Sequence, residues 1–364
     1  MRSRVGGDYT GVPYLWPTSL RQPRRPPKLV YLDLGHWISL AKASGGHAGG
    51  RDYAEALTAC TDAARTGRAV FPISDTIYIE VGKIASHRQR RDLREVIERL
   101  SGYKVVTARH VISTHEIEAL LDHLVAPNPE PIVEMDHLAW GVARAFGLVG
   151  GFSVRSAGGE DVTDAVRASD PRGPQAVDAL LGQAELLLNR QVLEGPTVEE
   201  EPALRELGWD PTKTREIGEK RAAQEVKQAA RFDEEPRWRR GRIRDVVAAR
   251  EVFIEVNGPL FRGAMERGAT LERLLPQPQD ARQAFDSMPS FDVAVSLKTE
   301  LHRDANHHWT SNDIHDIDAL GSTLAYCDVV VTDKAIESAA RRARLPERLG
   351  TTLLSSLDDL RACI

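Results

Sequence analysis

The chain has 364 residues, of which 41% are hydrophobic and 28% charged, and its formal net charge is −5. This composition is typical of a globular protein with enough apolar residues for one large domain or two ordinary ones. It excludes an overall basic field, so a nucleic-acid partner would need a local basic surface.

The cysteines and the apolar runs argue against further classes of protein. Cys60, Cys327 and Cys363 are widely separated and form no CxxC pair, which disfavours a disulfide framework and a structural zinc site. No apolar run approaches the roughly 20 residues of a membrane helix, and the polar N-terminal segment lacks the apolar core of a signal peptide. We therefore expect a protein of the reducing cytoplasm with no membrane partner.

The chain opens with a leader and a first strand. Residues 1–27 are rich in Gly, Pro and Arg and predict an extended segment, which is either a solvated tail or an arm that binds nucleic acid. KLVYLDL (28–34) then predicts a buried strand, and GHWISLAKA (35–43) has the spacing of a helix.

Two further strand-then-helix units follow. GRAVFPIS (67–74) predicts a strand, with Ser74 as the N-cap of a helix through DTIYIEVGKIASHRQR (75–90). YKVVTARHVIS (103–113) predicts a third strand, which leads into the helix THEIEALLDHL (114–124).

The end of the chain repeats this pattern and the middle does not. DVVVTDK (328–334) predicts a strand, and TTLLSSLDDLRA (351–362) a short strand with a terminal helix. The intervening residues 149–291 are helix-prone and highly charged. We therefore predict one α/β domain with a parallel sheet, formed by residues 28–148 and 292–364 and interrupted by a helical insertion over 149–291.

Two aspartates follow strands of this predicted sheet. Asp33 ends the first strand segment, and Asp333 holds the same position after the late DVVV run. Ligands of open parallel sheets collect at the carboxyl ends of the strands, so both residues are candidates for a site. The alternative for each residue alone is an ordinary turn aspartate.

The predicted helix around NDIHDIDAL (312–320) adds two acids. At about 100° per residue, Asp313 lies on the apolar stripe of this helix and Asp316 at its shoulder, whereas Asp318 and Ser322 are expected to face solvent. The helix N-terminus favours negative charge. N-capping by Ser311, Asn312 or Asp313 would explain one of the two acids, but not both.

Glu80 completes the acidic set. Its spacing places it on an apolar helix face with Ile77 and Ile84. An unpaired buried carboxylate is costly. Two interpretations remain open, a salt bridge to Lys83, Arg88 or a distant arginine, and a role in binding metal or water.

Like charges held together need a cation, or they must take up protons. Oxygen ligands suit Mg²⁺ or Mn²⁺, and such an ion can activate a water and offset charge on a leaving oxygen. Activation of a water and stabilisation of the leaving oxygen are what hydrolysis of a phosphodiester bond requires. The five candidate ligands are Asp33, Glu80, Asp313, Asp316 and Asp333.

The order and spacing of these acids resemble the PIN-domain (PIN-like) ribonuclease family. The matching segments are YLDLGHW at Asp33, SDTIYIE at Glu80, NDIHDIDAL at Asp313 and Asp316, and VVVTDK at Thr332 and Asp333. The resemblance covers residues 28–148 and 292–364. It implies a Rossmann-like three-layer α/β/α sandwich, a divalent metal and cleavage of RNA.

The resemblance also implies roles for individual residues. The spacing to Thr332 fits the family best from Asp316, so the implied catalytic acids are Asp33, Glu80, Asp316 and Asp333. Asp313 is then an accessory or a substitute. Thr332 or Asp313 would help to fix a water or the geometry around the ligands.

Two further residues near the predicted strand ends are accessory candidates. His36 follows Asp33 closely and could contact a phosphate. Asp328 precedes the late strand, where it either holds a turn, the favoured interpretation, or orients Thr332 and Asp333.

Two arginine-rich segments could contact a nucleic-acid backbone. SHRQRRDLR (86–94) follows Glu80 closely, and RWRRGRIR (237–244) combines arginines with a tryptophan. For the second segment, neutralisation by the preceding acids DEE is the alternative. The candidate residues are Arg88, Arg90, Arg91, Arg237, Arg239, Arg240, Arg242 and Arg244.

The leading hypothesis is a metal-dependent nuclease that acts on RNA more readily than on DNA, with single-stranded DNA as the less favoured substrate. Its role would be that of a toxin, a defence enzyme or an RNA-processing enzyme. The insertion would hold RNA, or serve as the interface to a second copy or a protein partner. A haloacid dehalogenase-like phosphatase is disfavoured, because Gly35 stands where a second Asp is needed. A non-catalytic PIN-like interaction module remains the alternative.

Overall fold

The computed structural model describes residues 12–23, 27–148, 151–208 and 210–364. The rest of the predicted leader, residues 1–11 and 24–26, lies outside these ranges. Among the described residues, none of the helices is both long enough and apolar enough to cross a membrane.

The strands are short and the helices numerous. The strands are β1 Leu20–Arg21, β2 Lys28–Leu32, β3 Ala69–Val70, β4 Lys104–Val106, β5 Met135–Asp136, β6 Leu138–Trp140, β7 Val329–Val331 and β8 Thr352–Leu354. The helices before residue 170 are α1 Leu34–Ser44, α2 Ala54–Arg65, α3 Asp75–Val81, α4 His87–Ser101, α5 Arg109–Leu124, α6 Val142–Ala145 and α7 Thr163–Ser169, with a 3₁₀ turn at Ala48–Tyr53.

The later helices begin within the insertion. They are α8 Pro174–Glu194, α9 Glu201–Glu206, α10 Pro211–Glu234, α11 Pro236–Arg239, α12 Ile243–Glu251, α13 Asn257–Glu266, α14 Leu271–Leu274, α15 Pro278–Asp286, α16 Pro289–Arg303, α17 Ser311–Thr323, α18 Lys334–Arg342, α19 Leu345–Leu349 and α20 Leu357–Arg361, with a π-helical turn at Val252–Val256.

A parallel sheet of order β3-β2-β7-β8 lies in the main core. A bridge between Ile73 and Val105 connects the end of the β3 segment to β4, which pairs antiparallel with β6. The valines of β7 are all buried, as expected when helices cover both faces of a parallel sheet. The predicted α/β class with parallel strands is confirmed.

The helix predicted over residues 75–90 is two helices, so this prediction is wrong. Ser74 caps the first, its hydroxyl accepting from the Ile77 amide, but that helix ends at Val81. A second helix, α4, starts after Ser86, whose hydroxyl accepts from the Gln89 amide. The Ser86 cap begins a second helix at this point. The sequence pattern did not distinguish this new helix start from a continuation of the first helix.

The described part of the leader packs against the folded chain. Leu20 is buried and β1 pairs with β5. The Tyr14 hydroxyl donates to Asp292 over 2.6 Å, and the Leu15 amide donates to the Ser287 carbonyl over 2.8 Å. Residues 12–23 are therefore not a solvated tail, because their apolar and aromatic side chains gain more from burial than from exposure.

The insertion shares a core with the α/β part. Phe232 and Val247 of the insertion belong to the same buried cluster as Leu121 of α5 and Val295 of α16. The boundary expected between residues 291 and 292 falls inside α16, a helix that is buried over most of its length. Helices α10 and α12 also contact α17 and α16, respectively. The insertion thus lies directly on the helix that carries the candidate acids.

Candidate active site at the carboxyl edge of the sheet

Asp33 and Asp333 lie at the carboxyl ends of two adjacent strands. The pairing of Leu32 with Val331 brings the two aspartates to neighbouring positions. Each caps the following helix: Asp33 accepts from the His36 amide at 3.2 Å, and Asp333 accepts from the amide two residues later at 2.6 Å. One carboxylate oxygen of each residue serves as the cap.

Asp316 and Glu80 approach from helices α17 and α3. Thr310, rather than Ser311, Asn312 or Asp313, is the N-cap of α17, and Asp313 closes the capping box by accepting from the Thr310 amide at 2.6 Å. The predicted capping residue is therefore corrected. Asp316 lies one turn further along, where its carboxylate is not needed by the cap.

Neither of the two sequence-near cations predicted as partners of Glu80 is paired with it. Lys83 donates to His315 Nδ1 over 3.0 Å, and Arg88 lies near Asp92 instead. The same His315 nitrogen is 3.6 Å from the Glu80 carboxylate, too far for a hydrogen bond. Glu80 is largely buried, with 17% of its side chain exposed.

A cavity of about 10 Å³, room for one water molecule or a small ion, lies among these groups. Its lining includes three of the four implied catalytic acids, Asp33, Glu80 and Asp316, together with Thr332 and Tyr31. Asp33 at the end of β2, Glu80 on α3 and Asp316 on α17 therefore line one small cavity, although they are far apart in the chain.

The acids influence each other's ionisation. Burial, and then the charges of Glu80, Asp333, Asp33 and Asp313, raise the pKa of Asp316 to about 8. Burial and the Asp333 charge also raise the pKa of Asp33, while His36 and the Thr332 hydroxyl act in the opposite direction. Repulsion of this kind indicates a site that a cation or a proton would stabilise.

The positions of the side chains fall short of a formed metal site. In the described ranges, no group of three or more His, Cys, Asp and Glu side chains is arranged to hold an ion. Carboxylates of like charge repel one another, so bringing them to ligand distance requires the charge of the ion itself. The donor chemistry is nevertheless that of a hard divalent cation, since the acids offer only oxygen.

The accessory candidates divide into two groups. Thr332 is buried, and His36 Nε2 donates to its carbonyl over 3.2 Å, so both residues lie beside Asp33. Asp328 is at the opposite end of β7, where its carboxylate accepts from the Leu29 amide at 2.9 Å. The accessory role of Asp328 is therefore wrong, because this residue holds the start of two paired strands.

Asp313 is engaged in local contacts and does not line the acidic cavity. In addition to the capping box, its other oxygen is 3.3 Å from His307 Nε2. Its contribution to the pKa of Asp316 places its charge nearby. Asp313 thus fits the accessory position rather than that of a main ligand.

Three of the predicted nucleic-acid-binding arginines are structural. The Arg90 guanidinium donates to main-chain carbonyls, including Ile84 at 2.6 Å and Pro196 at 2.8 Å. Arg239 donates to Asp233 and to the His302 carbonyl. Arg244 binds Asp286 at 2.5 Å and Asp292 at 2.8 Å. These side chains are held inside the fold, so their predicted RNA contacts are corrected.

The remaining arginine candidates are exposed. Acidic neighbours lie near most of them, as for Arg237 with Glu235 at 2.9 Å and Arg242 with Asp245 at 3.6 Å. The four exposed side chains of this kind that have acidic neighbours are those of Arg88, Arg91, Arg237 and Arg242, and Arg240 is exposed as well. These residues remain candidates for backbone contacts.

Asp318 and Ser322 do not face solvent, contrary to expectation. Asp318 accepts from Arg109 at 2.9 Å and from Arg221 at 3.0 Å, and Ser322 is buried. Helices α5 and α10 cover this face of α17. The insertion thereby converts a face that is polar in sequence into an internal one.

Sequence reasoning missed Tyr31, Thr76 and His315, which also line the acidic cavity. The Tyr31 hydroxyl is 3.0 Å from Ser74 Oγ, which in turn is 2.6 Å from Thr76 Oγ1. Sequence position could have indicated two of these residues. Tyr31 lies two residues before Asp33, which is one repeat of a β-strand, and His315 is next to Asp316. Comparisons with models of protein families, with curated proteins and with solved structures found no match for this chain.

Proposed function

We propose that this protein is a divalent-metal-dependent nuclease that hydrolyses phosphodiester bonds of RNA in preference to DNA, on a PIN-like three-layer α/β/α core. One observation carries the proposal: Asp33, Glu80 and Asp316, which come from distant segments of the chain, line one small cavity at the carboxyl edge of the sheet. The neighbouring acids, together with burial, raise the pKa of Asp316 to about 8. A structural cluster of acids is normally neutralised by arginine or lysine. Here Asp33 and Asp333 cap helices, and among the described residues no lysine or arginine lies within ion-pair distance of either.

Asp33, Glu80, Asp316 and Asp333 would hold the Mg²⁺ or Mn²⁺ ion. Each of the two capping aspartates uses one oxygen for its cap. A second oxygen of each is left for a ligand. When bound, the ion supplies positive charge against the phosphate and acidifies a water.

The neighbouring side chains position these acids and the substrate. The hydrogen bond from His36 to the Thr332 carbonyl ties the end of β7 to helix α1 and so fixes Asp33 relative to Asp333. The Lys83 ammonium, held by His315 and by Asn312 at 3.3 Å, is an exposed cation next to Glu80. It would meet a phosphate of the RNA backbone, with Arg88 and Arg91 of α4 continuing the positive surface.

We also propose that the protein is cytoplasmic and that the insertion binds a protein partner or a second copy of the chain. Phe253, Phe261 and Met265 expose large apolar surfaces on neighbouring helical segments of the insertion. Such exposed groups favour a protein partner or a second copy of the chain at this surface.

The test is cleavage of labelled single-stranded RNA and DNA with Mn²⁺ or Mg²⁺, by the unaltered chain and by Asp33→Asn and Asp316→Asn. Asp164→Asn is the matched control, because 98% of that side chain is exposed. We expect metal-dependent RNA cleavage that both site variants reduce by at least about a hundredfold. RNA binding without cleavage would instead identify an interaction module, and equal activity of all four proteins would refute the assigned site.

A further inference from the structure

A larger cavity of about 520 Å³ adjoins the acidic site. It lies between helices α3, α5 and α17 on one side and α10 and α13 of the insertion on the other. Thr76 and His315 line both this cavity and the small acidic one, so the two spaces are neighbours. The volume lies within the range of about 300–1,000 Å³ that is typical of small-molecule pockets.

Most charges in the lining of this cavity are already paired. Arg109 donates to Glu251 at 2.6 Å and to Asp318 at 2.9 Å. Arg221 donates to the same Asp318 and lies 3.4 Å from Glu255. These guanidiniums are therefore satisfied inside the protein and are poor candidates for capturing an anionic group of a ligand.

Asp75 is the exception. It is the first residue of α3, and one carboxylate oxygen accepts from the adjacent Thr76 amide at 2.8 Å. In the described part of the chain, no lysine or arginine lies within ion-pair distance of Asp75. Burial, and then the charge of Asp318, raise the pKa of Asp75 to about 6. A carboxylate that lines a cavity without a cationic partner is stabilised by a ligand with N–H donors.

The apolar walls of the cavity and the Asp75 carboxylate together favour a nucleobase as the ligand. Ile79, Ile217 and Pro259 supply apolar surface suited to the faces of a flat ring. A carboxylate accepts two parallel hydrogen bonds best from adjacent donors. Among the four RNA bases, only guanine presents two adjacent N–H donors, N1–H and the N2 amino group, on its Watson–Crick edge.

We infer that this cavity is a guanine pocket, in which the Asp75 carboxylate accepts from N1–H and the N2 amino group of a base adjoining the cleaved phosphate. The inference rests on the proposed nuclease function for the source of the base, RNA. Single-stranded RNA is ordinarily recognised through unstacked bases in this way. The site would make cleavage selective for positions next to guanine.

The experiment measures binding of guanosine, inosine, adenosine, cytidine and uridine 5′-monophosphates to the full chain by calorimetry, with EDTA present. Inosine monophosphate lacks only the N2 amino group. The variants are Asp75→Asn, Thr214→Trp, which places an indole at an exposed position of the lining, and the exposed control Asp164→Asn. Removing the charge of Asp75 relieves a cost of burial, so this variant should fold.

We expect guanosine monophosphate to bind at least about tenfold more tightly than the adenine and pyrimidine nucleotides, with inosine monophosphate between them. Asp75→Asn should abolish this preference, Thr214→Trp should weaken all binding, and Asp164→Asn should change neither. Equal binding of all the nucleotides, or a guanine preference that survives in Asp75→Asn, would overturn the inference. The binding assay contains no metal and so does not depend on nuclease activity. Guanine binding by a chain that cleaves no RNA in the assay with Mn²⁺ or Mg²⁺ would therefore refute the nuclease alone, and metal-dependent cleavage without base preference would refute the pocket alone.

Discussion

The Arg109 guanidinium donates to the Asp318 carboxylate over 2.9 Å and so joins helix α5 to the helix that carries Asp316. Asp318 also accepts from Arg221 of the insertion. The Asp318 carboxylate therefore accepts from two guanidiniums, and both of these are largely buried. The arrangement couples the position of α17 to the insertion rather than to the sheet alone.

Asp318→Ala should therefore destabilise the fold strongly. The substitution leaves two cations without their shared partner, and we expect a loss of about 3–5 kcal/mol in the free energy of unfolding. Asp62→Ala is the matched control, since Asp62 also binds two arginines, Arg65 and Arg68, but on the surface. That control should change the free energy of unfolding little, because solvent screens the charges of an exposed pair. Urea denaturation measures both, and similar losses would contradict the structural role of Asp318.

Asp316→Asn should stabilise the metal-free chain at alkaline pH. The pKa of Asp316 in the fold is about 8, above the ordinary value of 3.8, so the folded state keeps a proton that the unfolded chain releases. Stability is then lost as the pH rises from about 4 to 8, and the Asn variant avoids this loss.

The measurement is the free energy of unfolding at several pH values with EDTA present. The gain of Asp316→Asn should grow from near zero at acid pH to on the order of 1–3 kcal/mol at about pH 8.5. Added Mn²⁺ should reverse the order of the two proteins, because only the unaltered chain keeps the ligand. A variant that is less stable at every pH would contradict this prediction, because it would show that the Asp316 carboxylate makes a favourable interaction that outweighs the repulsion by its acidic neighbours.

Arg90 and Arg88, two residues apart in sequence, should behave oppositely. Arg90→Ala removes donors from several main-chain carbonyls, so we expect a loss of about 2–4 kcal/mol of stability. Arg88→Ala, at a side chain that is 84% exposed, should leave stability unchanged and weaken RNA binding at low salt. Thermal unfolding and RNA titrations at two salt concentrations distinguish the two roles; unaltered RNA binding by Arg88→Ala would remove this helix from the binding surface.

Asp328 and Asp333 offer the same contrast at the two ends of β7. Asp333→Asn should lower metal-dependent RNA cleavage by at least about a hundredfold, whereas Asp328→Asn should keep the activity and lose about 1 kcal/mol of stability. Rates measured at saturating metal, beside unfolding curves, test both expectations. Loss of activity in a fully folded Asp328→Asn protein would restore the accessory role that its hydrogen bond to Leu29 argues against.

The positions of Asp33 and Asp333 could be predicted from sequence because apolar runs end there, and the end of a buried strand is a local property. The burial of Asp318 could not be predicted in this way, since it depends on α10, which returns to α17 from about 100 residues away. The split between α3 and α4 was missed because Ser86 competes with continuation of the helix. Gly218 shows the same long-range dependence: a side chain there would come within 3.1 Å of Ser311.

Anomalous scattering from a crystal soaked in Mn²⁺ tests the central claim most directly. We predict a peak bounded by the carboxylates of Asp33, Glu80, Asp316 and Asp333, at oxygen–metal distances of about 2.0–2.3 Å. The same peak should be lost in Asp316→Asn. Absence of the peak from the unaltered chain at saturating Mn²⁺, or a peak only at other acids, would contradict the claim that these four residues share an ion.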